Sequence, residues 1–114
     1  MRSKEDSLQI AVADYLKLQY PNVLWWHTPN GGARNPIEGA KLKKMGVRSG
    51  VSDVIIIERS SEFIGLAIEL KIKPNSPTKQ QLEFMIALKE RGFKCCICWN
   101  FDEAKNIIDS YIRK

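Results

Sequence analysis

The segment Ile64–Lys71, Ile-Gly-Leu-Ala-Ile-Glu-Leu-Lys, constrains the fold more than any other part of the chain. Successive side chains of a β-strand point to opposite faces. Ile64, Leu66, Ile68 and Leu70 therefore share one face, and Glu69 and Lys71 share the other. An apolar strand ending in an acid and a lysine side by side either turns both to solvent, as most acids are turned, or gathers them for a purpose. Asp53 precedes a second apolar run, Val54–Ile57, whose lack of alternation suits a central strand covered on both faces. Pairing the two runs sets Asp53 beside the Glu-x-Lys face.

The rest of the chain supplies helices to cover such a sheet. Leu8, Val12, Tyr15 and Leu16 recur at helical spacing after a Ser3/Asp6 start signal, which predicts an amphipathic helix over about residues 4–19. Tyr20-Pro21-Asn22 stops it, and Val23–His27 has strand composition. Thr28–Gly32 is a dense turn signal, Pro36–Met45 a short basic helix ending at Gly46, and Gly46–Gly50 a second loop. Ser76-Pro77 reads as an N-cap and first-turn proline for a helix running to Arg91, closed by Gly92. Phe93–Trp99 follows as a strand and Phe101–Lys114 as a terminal amphipathic helix. The expected order, α-β-α-β-β-α-β-α, gives a three-layer α/β domain with a mixed central sheet between helices.

At 114 residues and 44% hydrophobic composition, the chain suits one domain, residues 1–114, with one core. No segment approaches the roughly 20 apolar residues of a membrane span, and the N-terminus has no signal-peptide core, so no membrane partner is expected. Cys95, Cys96 and Cys98 crowd one segment in odd number, which fits small buried hydrophobes in a reducing cytoplasmic setting. A zinc site would need further ligands, and His27 is the only histidine. The net charge of +5 is unevenly spread. Arg34, Lys41, Lys43, Lys44 and Arg48 face a single acid, Glu38, while Asp53, Glu58, Glu62 and Glu69 make the next stretch acidic. Basic flanks around an acidic centre fit a phosphate-backbone partner with a cation in the middle; a plain solvated surface is the alternative.

Asp53 and Glu69, with the Leu70 backbone carbonyl, form a hard-oxygen set of the kind Mg²⁺ or Mn²⁺ accepts while keeping several waters. Lys71 beside them would orient or deprotonate an attacking water, or else simply pair with Glu69 or Glu58. Two polar residues fall on apolar stripes. Gln81 precedes Met85 and Leu88 at helical spacing, and Glu5 precedes Leu8, Val12 and Leu16. Each either joins a shared site or sits solvated in a first helical turn, where Glu5 would suit the helix dipole. Asn30-Gly-Gly with Arg34 would present N–H groups and a cation to phosphate, or form an ordinary loop. Of Trp25 and Trp26, adjacent on a strand, at least one belongs in the core and the other is free to stack on bases. His27 reads as a strand-end residue near DNA.

These motifs, in this order, resemble the VRR-NUC domain, the virus-type replication-repair nuclease branch of the PD-(D/E)XK superfamily. Thr28–Arg34, Gly46–Asp53, Ile68–Lys71 and Gln81 carry the resemblance, together with Glu5, Leu8 and Gln9 near the N-terminus. It extends over about Lys4–Ile112 and implies the restriction-endonuclease-like fold. It implies metal coordination by Asp53, Glu69 and the Leu70 carbonyl, with Glu5 as a further candidate ligand. Lys71 would be the catalytic lysine, with Glu5 and Gln81 supporting the same site. Asn30, Arg34, Lys41, Lys43, Lys44 and Arg48 would track DNA. The expected activity is Mg²⁺- or Mn²⁺-dependent endonucleolytic cleavage of branched DNA such as four-way junctions by a homodimer, in replication, recombination or repair, with no organic cofactor. A duplex-cutting restriction-type nuclease and a non-catalytic DNA-binding module of the same fold are the alternatives. One departure is Ser52, where the family has proline, which fixes a turn more rigidly than serine.

Overall fold

The computed structural model describes residues 3–29 and 35–113. Eight elements follow in the expected order: α1 (Lys4–Gln19), β1 (Leu24–His27), α2 (Pro36–Lys44), β2 (Val54–Ile57), β3 (Gly65–Leu70), α3 (Lys79–Glu90), β4 (Phe93–Cys98) and α4 (Phe101–Ile112). The four strands form one mixed sheet, ordered β1-β2-β3-β4. β1, β2 and β3 pair antiparallel, whereas β3 and β4 run parallel, joined through α3. A parallel pair needs a long crossover, and α3 provides it.

Side-chain parity assigns the two faces of the sheet. Val54, Ile56, Leu66, Ile68, Leu70 and Cys98 form one apolar cluster with Leu8, Val12 and Leu16 of α1 and Ala104, Ile108 and Tyr111 of α4. Helices α1 and α4 therefore cover that face. The opposite face carries Ile55, Ala67 and Glu69, and α3 closes part of it with Gln81 and Met85. Every residue of β3 is buried, as its central position requires. Ile64, expected to continue the apolar face of β3, lies before the strand and is exposed. Trp25 packs against the core, and Trp26 stays exposed on the α3 side. No residue of α2 is buried.

The caps show how local sequence sets these boundaries. Ser3 Oγ accepts from the Asp6 N–H at 3.0 Å, starting α1. Asn35 and Asn100 cap α2 and α4 in the same manner. The start of α3 differs from the sequence expectation: its N-cap is Thr78, not Ser76. Thr78 and Gln81 form a reciprocal capping box, which satisfies two otherwise free N–H groups. Pro77 consequently lies outside the helix.

Away from the Glu69 end of the sheet, α1 and α4 are tied by a polar knot. Tyr15 and Tyr20 both donate to Asp109 Oδ1, the former at 2.6 Å, and Lys105 donates to Oδ2 at 3.2 Å. Burial alone would raise the Asp109 carboxyl, but the bonds from Tyr15, Tyr20 and Lys105 and the charge of Arg113 outweigh it and hold it at about 2. A carboxyl depressed in the folded state stabilises the fold above its unfolded value of 3.8, and that contribution disappears as pH falls through about 2. Asp109→Asn should therefore cost about 1–3 kcal/mol near neutrality and flatten the loss of stability between about pH 4 and 2. Urea-unfolding midpoints of both proteins across that range measure it; parallel curves would contradict the assignment.

Candidate active site

The antiparallel register of β2 and β3 pairs Ile56 with Leu66, Ile55 with Ala67 and Val54 with Ile68. One step further along the same ladder sets Asp53 opposite Glu69. Side chains opposite each other in an antiparallel pair share a face, so both carboxyls project on the α3 side. Asp53 is 9% exposed, Glu69 1%, Lys71 8% and Gln81 9%. Four polar residues are thus buried together at the carboxyl end of β3, where burial is costly unless each finds a partner.

Most of the partners are identifiable. Asp53 Oδ2 accepts from the Leu70 N–H at 2.7 Å. Its backbone carbonyl accepts from the Thr28 N–H at 2.9 Å and from His27 Nδ1 at 2.8 Å. Because a carbonyl only accepts, His27 must carry its proton on Nδ1. Glu69 Oε2 accepts from Gln81 Nε2 at 2.9 Å and lies 4.0 Å from Lys71 Nζ. The Gln81 amide cannot turn over, since its Oε1 already accepts from the Thr78 N–H at 2.8 Å. The α3 cap therefore aims Gln81 Nε2 at Glu69. Lys71 is held from behind, its N–H donating to the Cys98 carbonyl at 3.0 Å.

The loop before Asp53 is locked against α3. Gly50 has φ +84, and a Cβ there would meet the Gln80 carbonyl oxygen at 2.5 Å. Only glycine permits both that conformation and that approach. Ser52 is fully buried, so the rigidity a proline would lend the turn comes instead from packing at Gly50 and the two bonds to the Asp53 carbonyl.

Two atoms break the pattern. Glu69 Oε1 and Ser52 Oγ are buried with no hydrogen-bond partner. Burial above all, then the charge of Asp53, pushes the Glu69 carboxyl well above the usual range; Lys71 opposes this and Glu5 adds to it. Two facing carboxyls with an orphaned oxygen are chemically matched to a hard cation. Among the described residues no three His, Cys, Asp or Glu side chains converge on one point.

The family model of the VRR-NUC domain matches residues 3–100. The chain belongs to the VRR-NUC domain family. One solved structure, described as a VRR_NUC domain protein, is 28% identical, with a TM-score of 0.79 over 99% of this chain and 91% of its own. Another, described as a VRR_NUC domain, has a TM-score of 0.64 at 19% identity over 96% of this chain and 99% of its own, and shares the fold. No curated protein matches. This is accordingly a nuclease-type, DNA-processing domain on a mixed sheet flanked by helices.

The remaining sequence candidates of this VRR-NUC domain are more dispersed. Glu5 is half-buried in the first turn of α1 and acts on Glu69 through its charge. Lys41, Lys43 and Lys44 are exposed along α2, and Arg48 is exposed with its guanidinium 5.6 Å from the Phe84 ring centroid. Asn30 and Arg34 lie outside the described residues. No described helix is long and apolar enough to cross a membrane. Sequence reading missed the roles of His27 and Thr78. For Thr78 a signal existed, the Thr-x-x-Gln spacing of a capping box ending on Gln81; for His27 none did, since its bond to Asp53 depends on strand register.

The shared use of Gln81 makes a direct prediction. Thr78→Ala should cost about 1 kcal/mol. Combined with Gln81→Ala it should cost at least about 0.5 kcal/mol less than the sum of the single changes, because both remove one cap. A double-mutant cycle by urea unfolding reads this, and strict additivity would refute the coupling.

Proposed function

We propose that this VRR-NUC domain is a divalent-metal-dependent endonuclease that hydrolyses phosphodiesters in branched DNA, four-way junctions included, in replication, recombination or repair. The observation that carries this reading is the buried Asp53–Glu69 pair with Lys71 beside it and one glutamate oxygen unpartnered. Asp53, Glu69 and the Leu70 carbonyl would hold Mg²⁺ or Mn²⁺, with Glu5 as a further candidate ligand whose charge acts on Glu69. A bound ion of this kind lowers the pKa of its water and offsets charge on the phosphoryl group. Asp53 stays oriented because the Leu70 N–H occupies one of its oxygens. Gln81 fixes the Glu69 carboxylate from the α3 side.

Lys71 orients the attacking water and neutralises charge as the water's oxygen bonds to phosphorus and one P–O ester bond breaks. Its low exposure keeps the ammonium in a medium where such charge stabilisation is strong. The exposed cations of α2, Lys41, Lys43 and Lys44, with Arg48, track phosphates and so select shape rather than sequence. Asn30 and Arg34, which lie outside the described residues, are proposed to contact DNA as well. A homodimer would set two such sites on opposing strands of a junction. Leu24, Trp26 and Ile57, exposed on the part of the sheet that α3 leaves open, are surface that a second copy would cover.

Cleavage assays on junction, flap and linear duplex with Mg²⁺ or Mn²⁺ test the reading. Lys71→Ala should lower the rate about 100-fold or more, and Asp53→Ala and Glu69→Ala should abolish cleavage while leaving the fold intact. Full activity in any of the three would overturn the assignment. Equal rates on duplex and junction would favour the restriction-type alternative. Binding without cleavage under every metal condition would leave a DNA-binding module. Solution mass decides the dimer.

A further inference from the structure

Trp99 takes no part in the site described above, yet the sheet delivers it there. β3 and β4 pair in parallel with Glu69 opposite Ile97 and Leu70 opposite Cys98. The bond from the Lys71 N–H to the Cys98 carbonyl continues that ladder and makes Trp99 the lateral neighbour of Lys71. Adjacent strands lie only about 4.8 Å apart. Cys98, the last residue of β4, is buried in the α1/α4 core, and Trp99 follows it in a bend. Its ring is half-buried, with Lys73 Nζ 6.0 Å from the ring centroid.

The indole also rises from a fixed corner. The Trp99 N–H donates to Glu103 Oε1 at 2.7 Å, and the Glu103 N–H donates to Asn100 Oδ1 at 2.9 Å. These two bonds cap α4 and hold the backbone that carries the ring. A part-exposed aromatic plane on a rigid corner, beside one buried and one exposed lysine, has the components of a single-strand nucleic-acid platform: a π-face for a base and cations for its phosphates.

We propose that Trp99 and Lys73 form a binding subsite for an unpaired nucleotide next to the scissile phosphate, an inference that rests on the nuclease reading. A phosphodiester held at Glu69 and Lys71 carries its neighbouring nucleoside towards β4. A base inside a duplex has both faces stacked on other bases and cannot use the indole. A base at a branch, flap or gap has one face free, so Trp99 accepts it and Lys73 takes the adjoining phosphate. Trp99 acts as a specificity residue that favours interrupted DNA over continuous duplex, independently of base identity.

The test measures binding by fluorescence anisotropy in metal-free buffer, with a flapped DNA and a continuous duplex of the same sequence, and cleavage of both with Mn²⁺. Trp99→Ala should weaken flap binding about tenfold or more and change duplex binding less than about twofold. Trp99→Phe, which keeps an aromatic face, should retain most of the preference, and Lys73→Gln should reduce the salt dependence of binding. Should Trp99→Ala fail to fold, single-stranded oligothymidine should quench wild-type tryptophan fluorescence more than that of Trp99→Phe. Equal losses on both DNAs, no loss on either, or identical quenching would overturn the subsite while leaving the nuclease reading intact. A wild-type protein that neither binds nor cuts any DNA would overturn both.

Discussion

Asp53 and Glu69 face one another across neighbouring strands, in a largely buried position where like charges repel. Such a pair opposes folding unless donors or a cation compensate it. The protein provides partial compensation: the Leu70 N–H for Asp53, and Gln81 with Lys71 for Glu69. Glu69 Oε1 receives nothing. The remainder of the architecture can be understood as the means of keeping these two groups together despite that cost. The central strand supplies one acid from its own length, and the antiparallel neighbour supplies the other from the residue just before it begins.

Rigidity comes from several independent sources. The large apolar cluster behind the sheet packs β2 and β3 from the α1/α4 side, so Glu69 projects from a fully buried strand and Lys71 follows directly at its end. On the opposite side the capping box of α3 uses one amide for two tasks, closing the helix end and orienting Glu69. Gly50 lets the loop lie against that same helix end, and His27 and Thr28 pin the Asp53 carbonyl from β1. Helix, loop and two strands thus converge on one carboxylate pair, and no single surface change should release it. α2 has the opposite character: none of its residues is buried, and its last turn is basic.

Much of this was legible in the sequence because it depends on short-range periodicity. The alternation of Leu66–Lys71, the continuous run Val54–Ile57 and the apolar stripe of α1 each specify an element and a face without reference to distant residues. The inward reading of Gln81 came from the same kind of evidence and agrees with its burial. What escaped depended on contacts between elements. Ser76-Pro77 and Thr78 offer comparable helix starts, and the choice falls to Thr78, whose reciprocal capping box with Gln81 closes the helix end. Pairing of the two apolar runs already sets Asp53 beside the Glu-x-Lys face, but the offset that puts it opposite Glu69 itself is a matter of register, which apolar strands without a short connecting turn do not encode locally. His27 and Trp99 gain their positions from that register, one through β1 and the other through β4.

Divalent-ion binding in the absence of DNA tests the central claim most directly, because it separates the carboxylate pair from substrate recognition and turnover. Mn²⁺ titrated calorimetrically into the wild-type domain and into Asp53→Asn and Glu69→Gln should give saturable heat only with the wild type, accompanied by a raised thermal midpoint. Identical heats in all three proteins, or none in the wild type with every side chain in place, would contradict the account.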